Sequence, residues 1–451
     1  MSDIIAAVAT GKIPCAIGIL RLSGKGCSEV ADRVFVPDCG KTIARLKPRM
    51  LYLGKVYDRK GRIIDQAMAV YCPAPHSYTG EDTVELQCHG SPAMLASALE
   101  ALLAAGARQA GPGEFTKRAF LNGQLDLTQA EAVIDLIDAQ TAEAAANAAG
   151  QLGGALLQRI SPIYEDMTDL CSHFHAVLDY PDEDIADFEL QELEETLERS
   201  AKALQRLLVT YEQGRFLKQG VKAVLLGKPN VGKSSLLNAL AGYDRVIVTE
   251  IAGTTRDTVE ETVRLGKVLL RLTDTAGMRD AEDRIEALGV ERSRQAAKEA
   301  ELAIFVCEGN RALDEEDLLA MEAAKGAPCA VALINKCDEG CQISPEALPF
   351  DTVFTVSAKT GEGLTELQDF VEARFGGGTQ IDGSILTNPR QFGALKRAAD
   401  AIARAKNNAG LTPDALLTDV ECAMEALGEV IGRTVREDIT DRIFQRFCVG
   451  K

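Results

Sequence analysis

Apolar and polar positions change period several times along this chain, and each change marks a different kind of structure. In residues 1–118, short β-branched runs at Ile17–Leu22, Gln66–Tyr71 and Thr83–Gln87 alternate with Gly/Pro turns, a pattern that predicts an α+β segment. Residues 119–215 read as helical. Thr128-Gln129-Ala130-Glu131 has capping-box spacing, and Ala130, Val133, Ile134 and Ile137 follow on one face. Leu190, Leu193, Leu197, Leu204 and Leu208 continue a 3–4 spacing with acids on the outer face, which predicts core or partner-helix packing.

Residues 216–376 alternate apolar strands with helical stretches. The expected strands are Val221–Leu226, Val268–Thr273, Leu302–Val306, Ala330–Ile334 and Thr352–Val356, with a helix opening at Gly232. Such a βαβ series predicts a mainly parallel sheet covered on both faces. Gly376-Gly377-Gly378-Thr379 reads as a flexible exit linker, and helical patterning returns over 377–451. The expected architecture is multidomain. It has an α+β N-terminal domain (1–118) and a discontinuous all-α domain (119–215 with 377–451), into which an α/β domain (216–376) is inserted.

Composition adds limits. The 451 residues carry 49 Lys+Arg against 67 Asp+Glu, net −18. That balance argues against a chain that coats nucleic acid non-specifically. The charge is uneven, however: 1–118 is net +4, 119–215 net −14, 216–376 net −8, and 377–451 neutral. An RNA partner would therefore avoid the acidic helical face and use the N-terminal domain, the C-terminal segment or a partner protein. With no Trp and 22 aromatics in all, stacking on bare single strands is a poor fit. Neither a long apolar run nor a basic leader is visible, so the expectation is a cytoplasmic protein without a membrane span. Twelve cysteines lie scattered without a C-x-x-C, which predicts reduced thiols rather than disulfides or structural zinc. His76 and His89, beside turns, read as structural or solvent-facing.

The sharpest chemistry is at Gly227-Lys228-Pro229-Asn230-Val231-Gly232-Lys233-Ser234, a G-x-x-x-x-G-K-[ST] between an apolar strand and a helix. Backbone N–H groups of Asn230 to Ser235 would face phosphates, Lys233 would meet the β/γ oxygens and Ser234 would ligate Mg²⁺. Asp274-Thr275-Ala276-Gly277, Asn335-Lys336-Cys337-Asp338 and Ser357-Ala358-Lys359 follow in order, each at the end of an expected strand. The Asp338 carboxylate can accept from guanine N1–H and N2–H₂, which selects GTP over ATP. Gly253-Thr254-Thr255-Arg256-Asp257 fits switch I, with Thr255 completing the magnesium shell. Met278 stands where Ras-like enzymes place the water-orienting Gln. Glu286, Asp280, Glu282 and Asp283 lie just downstream as substitutes, and spacing does not choose among them.

Further motifs span the chain. Asp3–Ala9, Ile17–Gly24, Tyr78-Thr79-Gly80-Glu81-Asp82, Pro112-Gly113-Glu114-Phe115, Arg118–Gly123, Leu125–Ala132 and the terminal Phe447-Cys448-Val449-Gly450-Lys451 resemble the MnmE (TrmE) family of tRNA modification GTPases. The resemblance implies a homodimer that binds a tetrahydrofolate derivative (5-formyl- or methylene-tetrahydrofolate) and hydrolyses GTP with potassium stimulation. It also implies an MnmG-like FAD protein as partner, in a heterotetramer that installs an aminomethyl-type group, such as 5-carboxymethylaminomethyl, on the tRNA wobble uridine. On the matching positions it implies Asn230, Thr249, Ile251 and Thr254 for potassium and Glu286 as the catalytic glutamate. Arg21, Glu85, Gln124 and Lys451 take the folate positions, and Cys448 a role in the modification chemistry. Gln124 stands where the family has Lys, and Gly11–Ala16 replaces its Pro-Pro-Gly-x-Gly-Gly. A ribosome-assembly GTPase acting as an RNA-binding switch is the alternative. The neutral helical tail and the Cys-Val-Gly-Lys end argue against it.

Overall fold

A computed structural model describes residues 3–11, 13–179, 190–243, 260–274, 286–377, 381–408, 413–433, 440, 443–445 and 447–450. Contacts divide the chain into two compact units. One comprises residues 1–134, 151–200 and 397–451, the other residues 135–150 and 201–396.

In the first unit, β1 (Ile5–Val8), β2 (Cys15–Ser23), β3 (Phe35–Pro37), β4 (Tyr52–Tyr57), β5 (Ile63–Cys72), β6 (Thr83–Gly90) and β7 (Arg108–Gln109) form one sheet. Its order is β3-β4-β5-β6-β2-β1-β7, antiparallel except for the β1–β7 pair. Period-2 alternation sends Val84, Leu86 and Cys88 of β6 and Leu20 and Leu22 of β2 to one face. Helix Pro92–Ala104 covers that face with Leu95, Ala98 and Leu102, starting at a Ser91 cap followed by Pro92. His89, next to last in β6, faces solvent as expected, with its side chain 78% exposed and its Nδ1 2.7 Å from Asp65 Oδ1 on β5.

The helical segments have heptad-like cores, and the chain passes between the two units within helices Leu127–Asp138 and Leu190–Val209. Leu156, Ile160, Ile163, Met167, Leu170 and Phe174 are buried along helix Ala155–Asp179, and Leu416, Val420, Ala423, Leu427 and Val430 along helix Pro413–Ile431. On helix Leu190–Val209 the buried leucines are Leu193, Leu197, Leu204 and Leu207, while Leu208, expected in the stripe, is half-buried. The Leu190 side chain lies outside the described residues. Helix Leu127–Asp138 begins earlier than its sequence suggested. Asp126 is the cap, accepting from the N–H groups of Thr128 and Gln129 while its own N–H donates to Gln129 Oε1. A carboxylate accepts more strongly than a hydroxyl, which moves the capping box from Thr128 to Asp126. Ile137, expected on the buried face, is 49% exposed.

The second unit holds β8 (Val221–Leu226), β9 (Glu260–Leu265), β10 (Val268–Asp274), β11 (Leu302–Glu308), β12 (Cys329–Asn335) and β13 (Val353–Thr355). They run β13-β12-β11-β8-β10-β9, parallel except for the β9–β10 pair. The sheet is the mainly parallel one its pattern predicts, extended by β9, which joins β10 through a tight turn where Gly266 has φ 60°. Separate apolar clusters cover its two faces, so the central strands are buried almost throughout. Gly376, expected to open a linker, caps helix Leu364–Phe375 through an N–H bond to Glu372 O.

All twelve cysteines are free thiols. Burial pushes the Cys88 and Cys307 thiols up to about 12 and raises that of Cys27 as well. At about pH 8, iodoacetamide on the native protein should modify the exposed Cys15, Cys39, Cys341, Cys422 and Cys448 and spare Cys27, Cys88 and Cys307. Peptide mass spectrometry reads the pattern, and fast labelling of the buried three would contradict this packing.

Candidate functional site

The segment after β8 turns sharply before helix Lys233–Tyr243, and two glycines make the turn possible. A Cβ on Gly227 would stand 2.2 Å from Val306 O, and one on Gly232 2.3 Å from Asn335 Nδ2. Asn230 also takes a left-handed φ of 67°. The Lys233 amine folds back over the loop and donates to the carbonyls of Gly227 and Lys228, each at 2.6 Å. This puts a buried cation at the centre of a ring of backbone, beside a helix N-terminus where Ser234 and Ser235 are exposed. The arrangement is a cradle for phosphate.

Asn335 ends β12 and is 1% exposed. Its Nδ2 donates to Val231 O at 2.9 Å, and its Oδ1 accepts from the Ala358 N–H at 3.0 Å. One side chain thereby ties the phosphate loop to the 357–359 loop, and the missing Cβ of Gly232 gives it room. Ser357 Oγ donates to Asp338 Oδ1 at 2.7 Å and accepts from the Thr360 N–H. Asp338 is thus aimed by a buried serine, with Oδ2 4.0 Å from the Nζ of the exposed Lys359. Lys336, at φ 63°, pairs with Glu308 of β11.

The structure therefore gathers Asn230 to Ser235, Asn335, Lys336, Asp338 and Ser357 to Lys359 at the C-terminal ends of β8, β12 and β13. The backbone of Asp274 ends β10 opposite Leu225 of β8, and Glu286 opens helix Glu286–Glu299. The side chains of both, and all of Thr249, Ile251, Thr254, Thr255, Thr275, Ala276 and Gly277, lie outside the described residues, as does Lys451.

A second cluster forms in the first unit. Register pairs Arg21 of β2 with Glu85 of β6, and the Arg21 Nε donates to Glu85 Oε1 at 2.7 Å. The guanidinium lies 5.3 Å from the Tyr78 ring centroid and 5.6 Å from that of Phe115. Phe115 is fully buried and backs the guanidinium from the core, whereas Tyr78 is 37% exposed and offers an aromatic face beside the paired donors and acceptors. Gln124 packs against the Gly80 turn of the loop that carries Tyr78. The chain's end comes to the same region. Gly113 N–H donates to Cys448 O, Pro112 bridges Val449, and a Cβ on Gly450 would meet Val8 O at 2.3 Å. Cys448 itself is exposed.

Arg118 was not singled out by sequence as a site residue, yet it organises this cluster. It donates to Asp3 O and Oδ1, Glu81 Oε2 and Glu114 Oε1 at 2.8–3.1 Å. Those bonds hold the 78–82 loop to helix Glu114–Leu121. The i,i+4 spacing of Glu114 and Arg118 was the available signal. Bonding to Arg108 also lowers the Asp3 carboxyl to about 2.

The family pattern "MnmE helical domain" matches residues 127–448, and "GTP-binding protein TrmE N-terminus" matches residues 4–124. The chain is similar to the tRNA modification GTPase MnmE of Aquifex aeolicus, 42% identical over 100% of both chains. It is 43% identical to that of Roseiflexus castenholzii and 40% to that of Clostridioides difficile, covering all of this chain and 99% and 100% of theirs.

Replacing Asn335 by Ala should leave Val231 O and Ala358 N–H unpaired in a buried place, at about 1–3 kcal/mol each. We expect a lower urea midpoint for the second unit and weaker guanine-nucleotide binding together. Loss of neither would show that the Asn335 bridge does not hold the two loops.

Proposed function

The chain belongs to the tRNA modification GTPase MnmE family and is a GTP hydrolase acting in tRNA modification; we propose on that premise that its hydrolysis is potassium-stimulated and serves the wobble uridine. The observation that carries the GTP reading is the Asn335 bridge, which sets the phosphate loop and Asp338 in one frame. The backbone of Asn230 to Ser235 and the Lys233 amine bind the β- and γ-phosphates, and Asp338 accepts from the guanine edge. On this reading Thr275, Ala276 and Gly277 follow the γ-phosphate, while Lys336 and Ala358 frame the base.

The cradle left by Gly227 and Gly232, with the exposed Ser234 hydroxyl at the helix start, fits a magnesium–nucleotide complex. Ser234 and Thr255 would hold the magnesium, which supplies positive charge between the phosphates. Asn230, with Thr249, Ile251 and Thr254, would hold a potassium ion, which supplies charge where an arginine finger otherwise would. Met278 cannot orient water, and the family resemblance gives that task to Glu286. Arg21, Glu85, Gln124 and Lys451 would hold a tetrahydrofolate derivative, the one-carbon source, and the exposed Tyr78 ring beside Arg21 supports that reading. Cys448, close by in the same unit, takes part in the modification. The reading carries with it a homodimer, an MnmG-like partner that supplies FAD, and a cytoplasmic location.

Hydrolysis should fall when sodium replaces potassium, and equal phosphate release in both salts would remove potassium from the reading. Glu286→Ala should keep GTP binding while losing about 10²–10⁴ in rate. Asp338→Asn should weaken GTP binding about 10- to 100-fold and narrow the preference for GTP over ITP, which competition binding reads, because the charged acceptor for N1–H and N2–H₂ is gone. Mass spectrometry of tRNA wobble nucleosides, with and without the chain, tests the modification. An unchanged nucleoside profile would overturn it.

A further inference from the structure

Away from both clusters, the first unit gathers three side chains that the proposed chemistry does not use. Cys171 and His175 stand one turn apart on helix Ala155–Asp179, and Glu421 faces them from helix Pro413–Ile431. Their sulfur, nitrogen and oxygen ligand atoms all lie within 4.8 Å of one another. His175 Nε2 is already 3.0 Å from Glu421 Oε1. The two helices are held together around this point. Thr168 Oγ1 lies 3.8 Å from Met424 Sδ, and Leu170, Phe174, Val420 and Leu427 are buried nearby along the same helices. Cys171 is 6% exposed, whereas the side chains of His175 and Glu421 are 50% and 47% accessible. The cluster is rooted in the core on its sulfur side and open to solvent on the other.

We propose that Cys171, His175 and Glu421 form a binding site for a borderline-soft divalent transition ion, with zinc the best chemical match and the fourth position open. Zinc takes S, N and O donors, and three protein ligands leave a place for water or a small exogenous ligand. A thiolate and an imidazole argue against magnesium and calcium, which take oxygen. The i,i+4 spacing of Cys171 and His175 puts both on one helical face, so a single helix supplies a chelating pair. Tetrahedral donors at zinc distances stand roughly 3.3–3.8 Å apart. The set must contract by about 1 Å from its present spread, and the solvent-facing His175 and Glu421 are free of core packing on the side that has to move. A bound ion would join chain segments 246 residues apart, on either side of the stretch that builds the α/β sheet. The two helices would then be stabilised by metal as well as by packing.

The simpler reading is a surface hydrogen bond between His175 and Glu421 beside a buried, inert thiol. Cobalt distinguishes the two, because only thiolate ligation gives a sulfur-to-metal charge-transfer band. The reduced, chelator-stripped full-length chain is titrated with Co²⁺. One equivalent should produce that band, with the visible intensity of a four-coordinate site, and Zn²⁺ should bleach it. Cys171→Ser should abolish the band. His175→Ala and Glu421→Gln, at exposed positions that do not threaten folding, should weaken cobalt binding roughly tenfold or more. Cys422→Ser, next to Glu421 in sequence, should leave it intact. No band in the unaltered chain, or cobalt affinity unmoved in both His175→Ala and Glu421→Gln, would overturn the proposal.

Discussion

The Asn335 carboxamide is the contact on which the α/β site depends. It ends a strand buried on both faces, so its position is set by the sheet rather than by the loops it joins. From there it donates to the phosphate loop and accepts from the loop beside Asp338. Two loops far apart in sequence thereby share one rigid reference. The cost is steric: nothing larger than glycine fits at 232, because a Cβ there would collide with the same amide. The Gly232 of the motif is as much a consequence of Asn335 as of any phosphate. A side chain that is almost wholly buried and bonded at both ends keeps its geometry whether or not a nucleotide is present, which is what pre-organised binding requires.

The first unit solves a similar problem with charge. Arg118 is nearly buried and would be costly unless paired. Asp3, Glu81 and Glu114 satisfy it, and Glu114 is shared with Arg108 and the Gly111 N–H. This network joins the start of the chain, the 78–82 loop and the start of a helix. It leaves Arg21 to face Tyr78 and Phe115 with its own partner, Glu85. The chain's last residues then close on Val8 and Pro112, where glycines at 113 and 450 take left-handed conformations that admit the close approach. The Arg21 cluster and Cys448 lie in one unit because both ends of the chain are built into it.

How much of this was legible beforehand differs by residue. The phosphate loop and the base-reading segments were plain, since each motif is short, contiguous and follows an apolar strand. The helix carrying Ala130 was plain too, but its start was not. Thr128 and Asp126 both offer a cap, and only the competition between hydroxyl and carboxylate decides. Leu207 and Leu208 are equally apolar, and only packing buries Leu207 more deeply than its neighbour. β9 was missed because Glu260–Leu265 mixes charge with short apolar runs, as edge strands do.

By itself the sequence determined the periods of the elements, their order, the four nucleotide motifs and the uneven charge that leaves 119–215 acidic. These are local properties, written in spacings of a few residues. Only the tertiary structure decided which distant residues meet. Asn335 reaching Val231, Arg118 joining Asp3 to Glu81, Cys448 lying beside Gly113, and Glu421 facing Cys171 and His175 all span long stretches of chain. Such meetings depend on strand register and helix packing, where a shift of one residue turns a side chain to the other face. No local spacing carries that information.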